Sequence, residues 1–328
     1  MILSIVFLVI GLVLILVGAN ILTDGASALA RRMGISDLVV GLTVVAFGTS
    51  TPELVTSTLA AINGSAGLAI GNVVGSNIFN ILAIIGVTAM VCPLSVNRDI
   101  MVTQIPIVIL SALVLVVMAA GPILDGAEES IISRTCGIIL LIFFLLFMRE
   151  TLLRSRQKDA PDVVGTTENS QPAAAQMPLL KSITFIVLGL AGLIIGGDRF
   201  VAGASEIARN LGVSDAVIGL TVVAAGTSLP ELAASVAAAL KGNADMALGN
   251  VIGSNIFNIL FILGAAAVVS PLPLGDVTAI DLGTLMIASV LFWLCGWFIG
   301  HRKITRGEGA MLATLYVGYV AWLVYNAI

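Results

Sequence analysis

Two glutamates, Glu53 and Glu231, fall about mid-way along long apolar stretches. A carboxylate at the centre of a bilayer costs about 2.5–3.5 kcal/mol on insertion scales, so an intramembrane acid marks a functional site by default. Each follows a proline, Pro52 or Pro230, that removes a helix N–H. Gly48 and Gly226 stand four residues before the prolines. The carbonyls near 46–48 and 224–226 are therefore expected to lose helical partners, and such carbonyls persist at membrane depth only when buried or lining a cavity. Thr49 and Ser50 lie on the helix face of Glu53, and Thr227 and Ser228 repeat that arrangement for Glu231. Further along, Asn72, Ser76 and Asn80 are spaced by four, as are Asn250, Ser254 and Asn258. Each triplet forms a polar stripe on one helix face. Such stripes also serve as ties between helices, an alternative with more weight for Asn72 and Asn250 than for the other four. Asn77 and Asn255 point to a different face and are expected only to hydrogen-bond between helices.

These side chains offer carboxylate, hydroxyl, amide and carbonyl oxygens, with no His, Cys or Met among them. All-oxygen sites suit hard cations such as Ca²⁺ and Na⁺ rather than transition metals. Ca²⁺ takes six to eight oxygens at about 2.3–2.6 Å. Two glutamate charges balance one Ca²⁺ or two Na⁺. Without a cation the two carboxylates repel, so protons compete with cations for the site.

The elements that must position these residues are membrane helices. The chain has 328 residues, of which 59% are hydrophobic and 10% charged. A soluble domain carries about 25% charged residues. This composition excludes a water-soluble enzyme, a nucleic-acid binder and a disordered chain. Apolar stretches near 2–29, 38–61, 67–91, 100–120 and 130–148 are followed by a second set near 180–207, 216–239, 245–269, 279–299 and 309–327. The expectation is an all-α membrane protein of ten transmembrane helices. The first and sixth stretches exceed what a bilayer needs, which suggests tilt. The opening stretch lacks a basic n-region and a cleavage site and reads as a retained span. Between the sets, 154–179 is polar and rich in Pro, Ala and Gln, as expected of a linker. With the N-terminus placed outside, twelve Lys and Arg fall on inner segments and three on outer ones. That asymmetry predicts a cytoplasmic-membrane protein with both termini outside and the linker in the cytoplasm.

Residues 41–86 align with 219–264 without a gap, and 31 of the 46 positions are identical. GTS, PE, GN and GSNIFN stay in register, which shared apolar composition does not produce. The chain thus divides into a five-helix repeat over 1–153, the linker 154–179 and a second five-helix repeat over 180–328. An odd number of spans per repeat predicts that the two are inverted about an axis in the membrane plane. Many secondary transporters have this architecture, with the site near the midplane. Other classes fit poorly. His301 falls in a polar inner loop, away from any mid-span serine. No HExxH motif occurs. Asp24 and Asp198 are read as lying near helix ends. A passive channel would need a ring of subunits or a pore. Cys92, Cys136 and Cys295 fit neither a disulfide framework nor a zinc site.

The paired GTSxPE and GNxxGSNIFN segments resemble the α-repeats of the sodium/calcium exchanger family, within the calcium/cation antiporter superfamily. The resemblance covers essentially the whole chain. It implies antiport of Ca²⁺ against Na⁺ through adjacent sites, with no permanently bound cofactor, and helices one and six sliding across the core. By motif position it implies Glu53 and Glu231 as central ligands. It adds hydroxyls of Ser50, Ser76, Ser228 and Ser254, and Asn80 in the first repeat. It also implies backbone carbonyls of Ala46 and Ala224, with Thr49 and Thr227 lining sodium sites. At the symmetry mate of Asn80, some members have Asp where this chain has Asn258, which removes one possible negative charge and leaves stoichiometry open. The large cytosolic calcium-sensing insert of animal exchangers is missing, so no such regulation is expected. Exchange of Ca²⁺ for H⁺, or a K⁺ requirement, remains the neighbouring alternative. The expected partners are these ions and the lipid bilayer, with no nucleic acid. A complete pair of repeats is compatible with a monomer.

Overall fold

The computed structural model describes residues 2–124, 126, 128–157, 177–212, 224–275, 277–299 and 302–327. His301, most of the expected linker and the first part of the seventh expected span lie outside the described residues.

The chain begins with α1 (Ile2–Met33), then α2 (Asp37–Thr49) and α3 (Thr51–Ile62), which meet at Ser50 with a bend of 49°. Next come α4 (Ala66–Val91), β1 (Leu94–Ser95), α5 (Ile100–Ala119), α6 (Gly121–Leu124), β2 (Ile131–Ile132) and α7 (Arg134–Gln157). The second part holds α8 (Leu179–Asn210), α9 (Ala224–Thr227), α10 (Leu229–Leu240) and α11 (Ala244–Val269). It ends with β3 (Leu272–Pro273), α12 (Ala279–Leu294), β4 (Lys303–Ile304) and α13 (Arg306–Ala327). Among the described residues, eight helices are long and apolar enough to cross a membrane, or nine if α2 and α3 count as one bent span. The chain is therefore an all-helical integral membrane protein, apart from two short ribbons. The seventh expected span, near 216–239, is described only from Ala224 on, as α9 and α10.

Local chemistry sets the helix boundaries. Pro52 and Pro230 occupy the first turns of α3 and α10, where a missing N–H costs nothing. Gly64 and Gly242, both at φ 77°, follow the ends of those helices in the left-handed region that glycine tolerates. Asn243 caps α11 by accepting the Met246 N–H at 3.1 Å. Thr278 and Asp281 form a capping box at α12.

Burial separates a centre from a periphery. In α4 and α11, 83% of the membrane-length window is buried, against 28% in α1 and α8. The two helices with polar stripes therefore form the core, and α1 and α8 lie outside it. Both outer helices have 32 residues, about 48 Å at 1.5 Å per residue, well beyond a hydrocarbon core of about 30 Å. They pack against each other through glycines. Gly11 meets Gly196 and Phe200, Gly18 meets Gly189 and Leu193, and Gly25 meets Ser182 and Ile186. Residue numbers rise along one helix as they fall along the other, so α1 and α8 are antiparallel. The short strands cross between halves: β1 pairs with β4 and β2 with β3, both antiparallel.

One expectation needs correction. Asp24 does not mark a helix end. More than two turns of α1 follow it, and its carboxylate takes Lys241 Nζ at 2.7 Å, while the same ammonium donates to the Asn20 carbonyl at 2.8 Å. That ion pair fastens α1 to the connection after α10, which explains a charge so far inside an apolar helix. Gly249 and Gly253 sit directly against the backbone of Leu38 and Leu42, the close approach that a GxxxG spacing allows. The segment equivalent to 38–42 in the other half falls in 213–223, outside the described residues.

A Cβ at Gly189 would stand 2.6 Å from the Leu22 nitrogen, where only backbone could yield. Gly189→Val should lower stability by about 1–3 kcal/mol, the usual cost of overpacking. Gly318→Ala, at an exposed helical position with no neighbour within 4 Å, should be neutral or slightly stabilising. Thermal melts of the two variants in detergent check the contrast; equal melting temperatures would contradict close α1–α8 packing.

Candidate ion-binding site

The break between α2 and α3 turns Ser50 and Glu53 toward the other half of the molecule. Ser50 Oγ donates to Glu231 Oε1 at 2.8 Å, and Ser228 Oγ donates to Glu53 Oε1 at 2.9 Å. Each serine thus serves the glutamate of the opposite half. Thr49 and Thr227 stand beside the opposite glutamates in the same crossed sense, and the two carboxylates lie within electrostatic reach of each other. Glu53 and Glu231 are each 1% exposed. A carboxylate buried to that degree needs a partner of opposite charge or several donors. Neither forms a salt bridge among the described residues, and the buried charged side chains there are all acidic: Glu53, Glu231, Asp281 and Glu308.

The stripes on α4 and α11 divide by role. Asn72 Nδ2 donates to Ser57 Oγ at 2.9 Å and reaches the Glu53 carbonyl at 3.5 Å. Asn250 Nδ2 donates to Ser235 Oγ at 2.9 Å and to the Glu231 carbonyl at 3.2 Å. Thr49 Oγ1 lies 3.2 Å from Asn250 Oδ1 and 3.4 Å from the Ala46 carbonyl. These two asparagines are ties that hold α3 to α4 and α10 to α11. Ser57 and Ser235 are their partners, and the sequence reading passed them over.

Asn80 and Asn258 sit in π-helical turns, Phe79–Ile84 and Phe257–Leu263, a widened geometry often found at functional sites. Asn80 Nδ2 donates to Asn255 Oδ1 at 3.1 Å, and Asn258 Nδ2 donates to Asn77 Oδ1 at 3.0 Å. With their nitrogens engaged, both amides are left with oxygen as the uncommitted atom. Asn77 and Asn255 thus bond between helices as expected, and they do more, because they orient the site amides. The pair is not perfectly two-fold: Asn77 Nδ2 donates to the Asn255 carbonyl at 3.3 Å, whereas Asn255 Nδ2 has no acceptor.

Among the described residues, twelve buried side-chain polar atoms lack a hydrogen-bond partner. Native proteins leave few such atoms, and each needs a reason. Six of the twelve are oxygens of the expected ligands: Glu53 Oε2, Ser76 Oγ, Asn80 Oδ1, Glu231 Oε2, Ser254 Oγ and Asn258 Oδ1. Three come from each half, at equivalent positions. Ser50 and Ser228 add hydroxyls whose protons go to the glutamates and whose lone pairs remain. No group of three or more His, Cys, Asp and Glu side chains gathers among the described residues, so the donor set is two carboxylates and neutral oxygens. That set and number suit a hard cation.

One expectation about the backbone changes. The Ala46 carbonyl keeps a helical partner, the Ser50 N–H at 3.0 Å, because the α2 turn closes before the bend. That oxygen also lies 3.4 Å from Thr49 Oγ1. Ala224 opens α9, and its side chain lies outside the description.

The ties differ in exposure: Asn250 is 1% exposed, whereas Asn72 is half-buried. Asn250→Ala leaves buried groups unpaired, at about 1–3 kcal/mol each, while water can reach the partners of Asn72. Asn250→Ala should therefore melt well below Asn72→Ala at fixed ion concentration. Equal losses in a thermal melt would show that burial does not set the strength of these ties.

Comparison with known proteins agrees with this chemistry. The family profile described as sodium/calcium exchanger protein matches residues 3–150 and 181–325. CaxA of Alkalimonas amylolytica is 39% identical over 97% of this chain and 98% of its own length. The sodium/calcium exchanger MaX1 of Methanosarcina acetivorans is 34% identical over 97% of each. A solved structure of the sodium-calcium exchanger NCX_Mj, soaked with 10 mM Na⁺ and zero Ca²⁺, superposes with a TM-score of 0.80 at 33% identity, covering 98% of both chains. The chain belongs to the sodium/calcium exchanger family, a family of transporters and not of enzymes.

Proposed function

We propose that this protein is a secondary antiporter that exchanges Ca²⁺ for Na⁺ by alternating access at a midplane site built on Glu53 and Glu231. The observation that carries this reading is the set of six buried oxygens without donors, grouped on the expected ligands and anchored by the crossed serine–glutamate bonds. Glu53, Glu231, Ser76, Ser254, Asn80 and Asn258 hold the divalent ion. Ser50, Ser228, Thr49, Thr227 and the carbonyls of Ala46 and Ala224 complete sites for Na⁺. The names of the relatives MaX1 and NCX_Mj support the choice of ions.

The architecture we propose is ten helices in two inverted repeats. Equivalent residues differ by 178 over the aligned region, and the equivalent long helices α1 and α8 run antiparallel. The exchange of strand partners between halves and the paired hydrogen bonds of the site support the same axis. The α1–α8 pair, bound tightly within itself and little buried, is the element suited to move across the core. The distribution of Lys and Arg supports a cytoplasmic membrane location with both termini outside and the linker in the cytoplasm. One chain supplies both halves of the site, so a monomer suffices. Buried carboxylates also accept protons, so H⁺ is the competing counter-ion to test.

Purified protein in Na⁺-loaded liposomes should take up Ca²⁺ when external Na⁺ is low. Uptake that follows a pH gradient and ignores Na⁺ would overturn sodium coupling. Glu53→Gln and Glu231→Gln should each reduce flux to background while the protein stays monodisperse, because the amide oxygen still accepts the serine proton and only the charge is lost. Wild-type flux in either variant would remove that glutamate from the site.

A further inference from the structure

We propose that Asp24 and Lys241 form a one-sided latch: their ion pair holds α1 against the core at one end of the molecule and biases the exchanger toward the state closed at that end. This rests on the exchange function proposed above, in which the α1–α8 pair moves across the core. Lys241 Nζ donates to Asp24 Oδ1 at 2.7 Å and to the Asn20 carbonyl at 2.8 Å. Beside it, Asn243 Nδ2 donates to Ser27 Oγ at 3.3 Å. Asn20, Asp24 and Ser27 are spaced by four and three residues, so they share one face of α1. Both donors sit on the short connection between α10 and α11. In the topology proposed above, that connection lies at the inner face. All three bonds run between the helix that moves and the core that does not.

The other end has no such device. The repeat offset of 178 extends through the GAS triplets at 25–27 and 203–205. It relates Asp24 to Ala202, Ser27 to Ser205, Lys241 to Asn63 and Asn243 to Ser65. Ala202 and Asn63 carry no charge and form no ion pair. Ser205 Oγ has no hydrogen-bond partner, and Asn63 and Ser65 are exposed. The packing is unequal in the same sense. α1 packs along α10, whereas α8 has far less contact with α3, the equivalent of α10. The pair also selects one register. Asp24 is the only acid in α1, and a slide of one turn, about 5.4 Å, carries it out of reach of Lys241. Sliding one way sets the ammonium against the apolar residues before Asn20, and sliding the other way brings it toward Arg31. Asp37 and Asp245 line the same cavity, but they belong to α2 and α11, so a bond to either would not hold α1. Opening this end therefore breaks a charge pair, and opening the other end breaks none.

The test reads both ends. Ser27→Cys, at a half-buried position under the latch, and Ser65→Cys, at an exposed position on the other end, are made in separate full-length proteins. Each is labelled with a maleimide at one Na⁺ concentration, and the label is located by peptide mass, so the native cysteines stay in place. A partly exposed ion pair contributes modestly, so Asp24→Asn and Lys241→Gln should each speed labelling at position 27 by about two- to fivefold and slow it at position 65. The charge-swapped double variant, Asp24→Lys with Lys241→Asp, should bring both rates back toward the parent. Unchanged labelling at position 27 in the single variants would overturn the latch. Faster labelling at 27 with no change at 65 would also overturn it, because it shows one contact loosened and no shift between two states. A swap no closer to the parent than the single variants would overturn the role of charge. Labelling does not require transport, so Na⁺-dependent Ca²⁺ uptake of the parent in liposomes is a separate reading. Its absence would overturn the exchange function, whatever the labelling shows.

Discussion

The crossed hydrogen bonds between Ser50 and Glu231 and between Ser228 and Glu53 are the constraint on which the rest of this structure depends. Two carboxylates are buried in an apolar bundle, where an unpaired charge is disfavoured by several kcal/mol. Each receives one serine donor on Oε1, from the opposite half, and keeps an Oε2 without a hydrogen bond. The serine bonds hold the halves in register. The remaining oxygens are the atoms we propose to engage a cation.

The surrounding elements follow from the need to aim those serines. A straight helix through 37–62 would carry Ser50 and Glu53 along one continuous face. The bend of 49° at Ser50, stabilised by Pro52 in the first turn of α3, re-aims both side chains. Asn72 and Asn250 then lock the helices bearing the glutamates onto the core helices α4 and α11. The π turns at 79–84 and 257–263 bring Asn80 and Asn258 to a position where Asn255 and Asn77 can take their nitrogens. Glycines 249 and 253 let α11 approach the backbone of α2 closely enough for Thr49 to reach Asn250.

Much of this was legible before any coordinates. Glu53 and Glu231 stand out because a charge in an apolar stretch is expensive, and the gapless repeat pairs Ser50 with Ser228 and Asn80 with Asn258 by position alone. What could not be read is which serine serves which glutamate. Spacing places Ser50 on the face of Glu53, yet its proton goes to Glu231, and a contact between residues 181 apart leaves no local signal. A period of 3.6 residues does not anticipate the π turns at 79–84 and 257–263, so spacing does not show that Asn77 and Asn255 take the nitrogens of Asn258 and Asn80. The Asp24–Lys241 pair was missed for the same reason as the serines, since its partner lies in the other half. The linker is legible only as composition, and most of it lies outside the described residues.

The same donor count bears on coupling. On the exchange function proposed here, passage between the two faces requires a state sealed from water on both sides. A site holding two carboxylates with one serine bond each is at its least stable when sealed without a cation, because solvent can no longer supply the missing donors. Bound cations balance the carboxylates and engage the oxygens that the fold leaves without hydrogens. The sealed state is therefore accessible when the site is loaded and strongly disfavoured when it is bare, which ties every crossing to cargo and makes the transport an exchange rather than a leak. A lysine or arginine beside the glutamates would neutralise them permanently and abolish that distinction. Among the described residues the buried charged side chains are without exception acidic, so balancing the glutamates is left to the cargo.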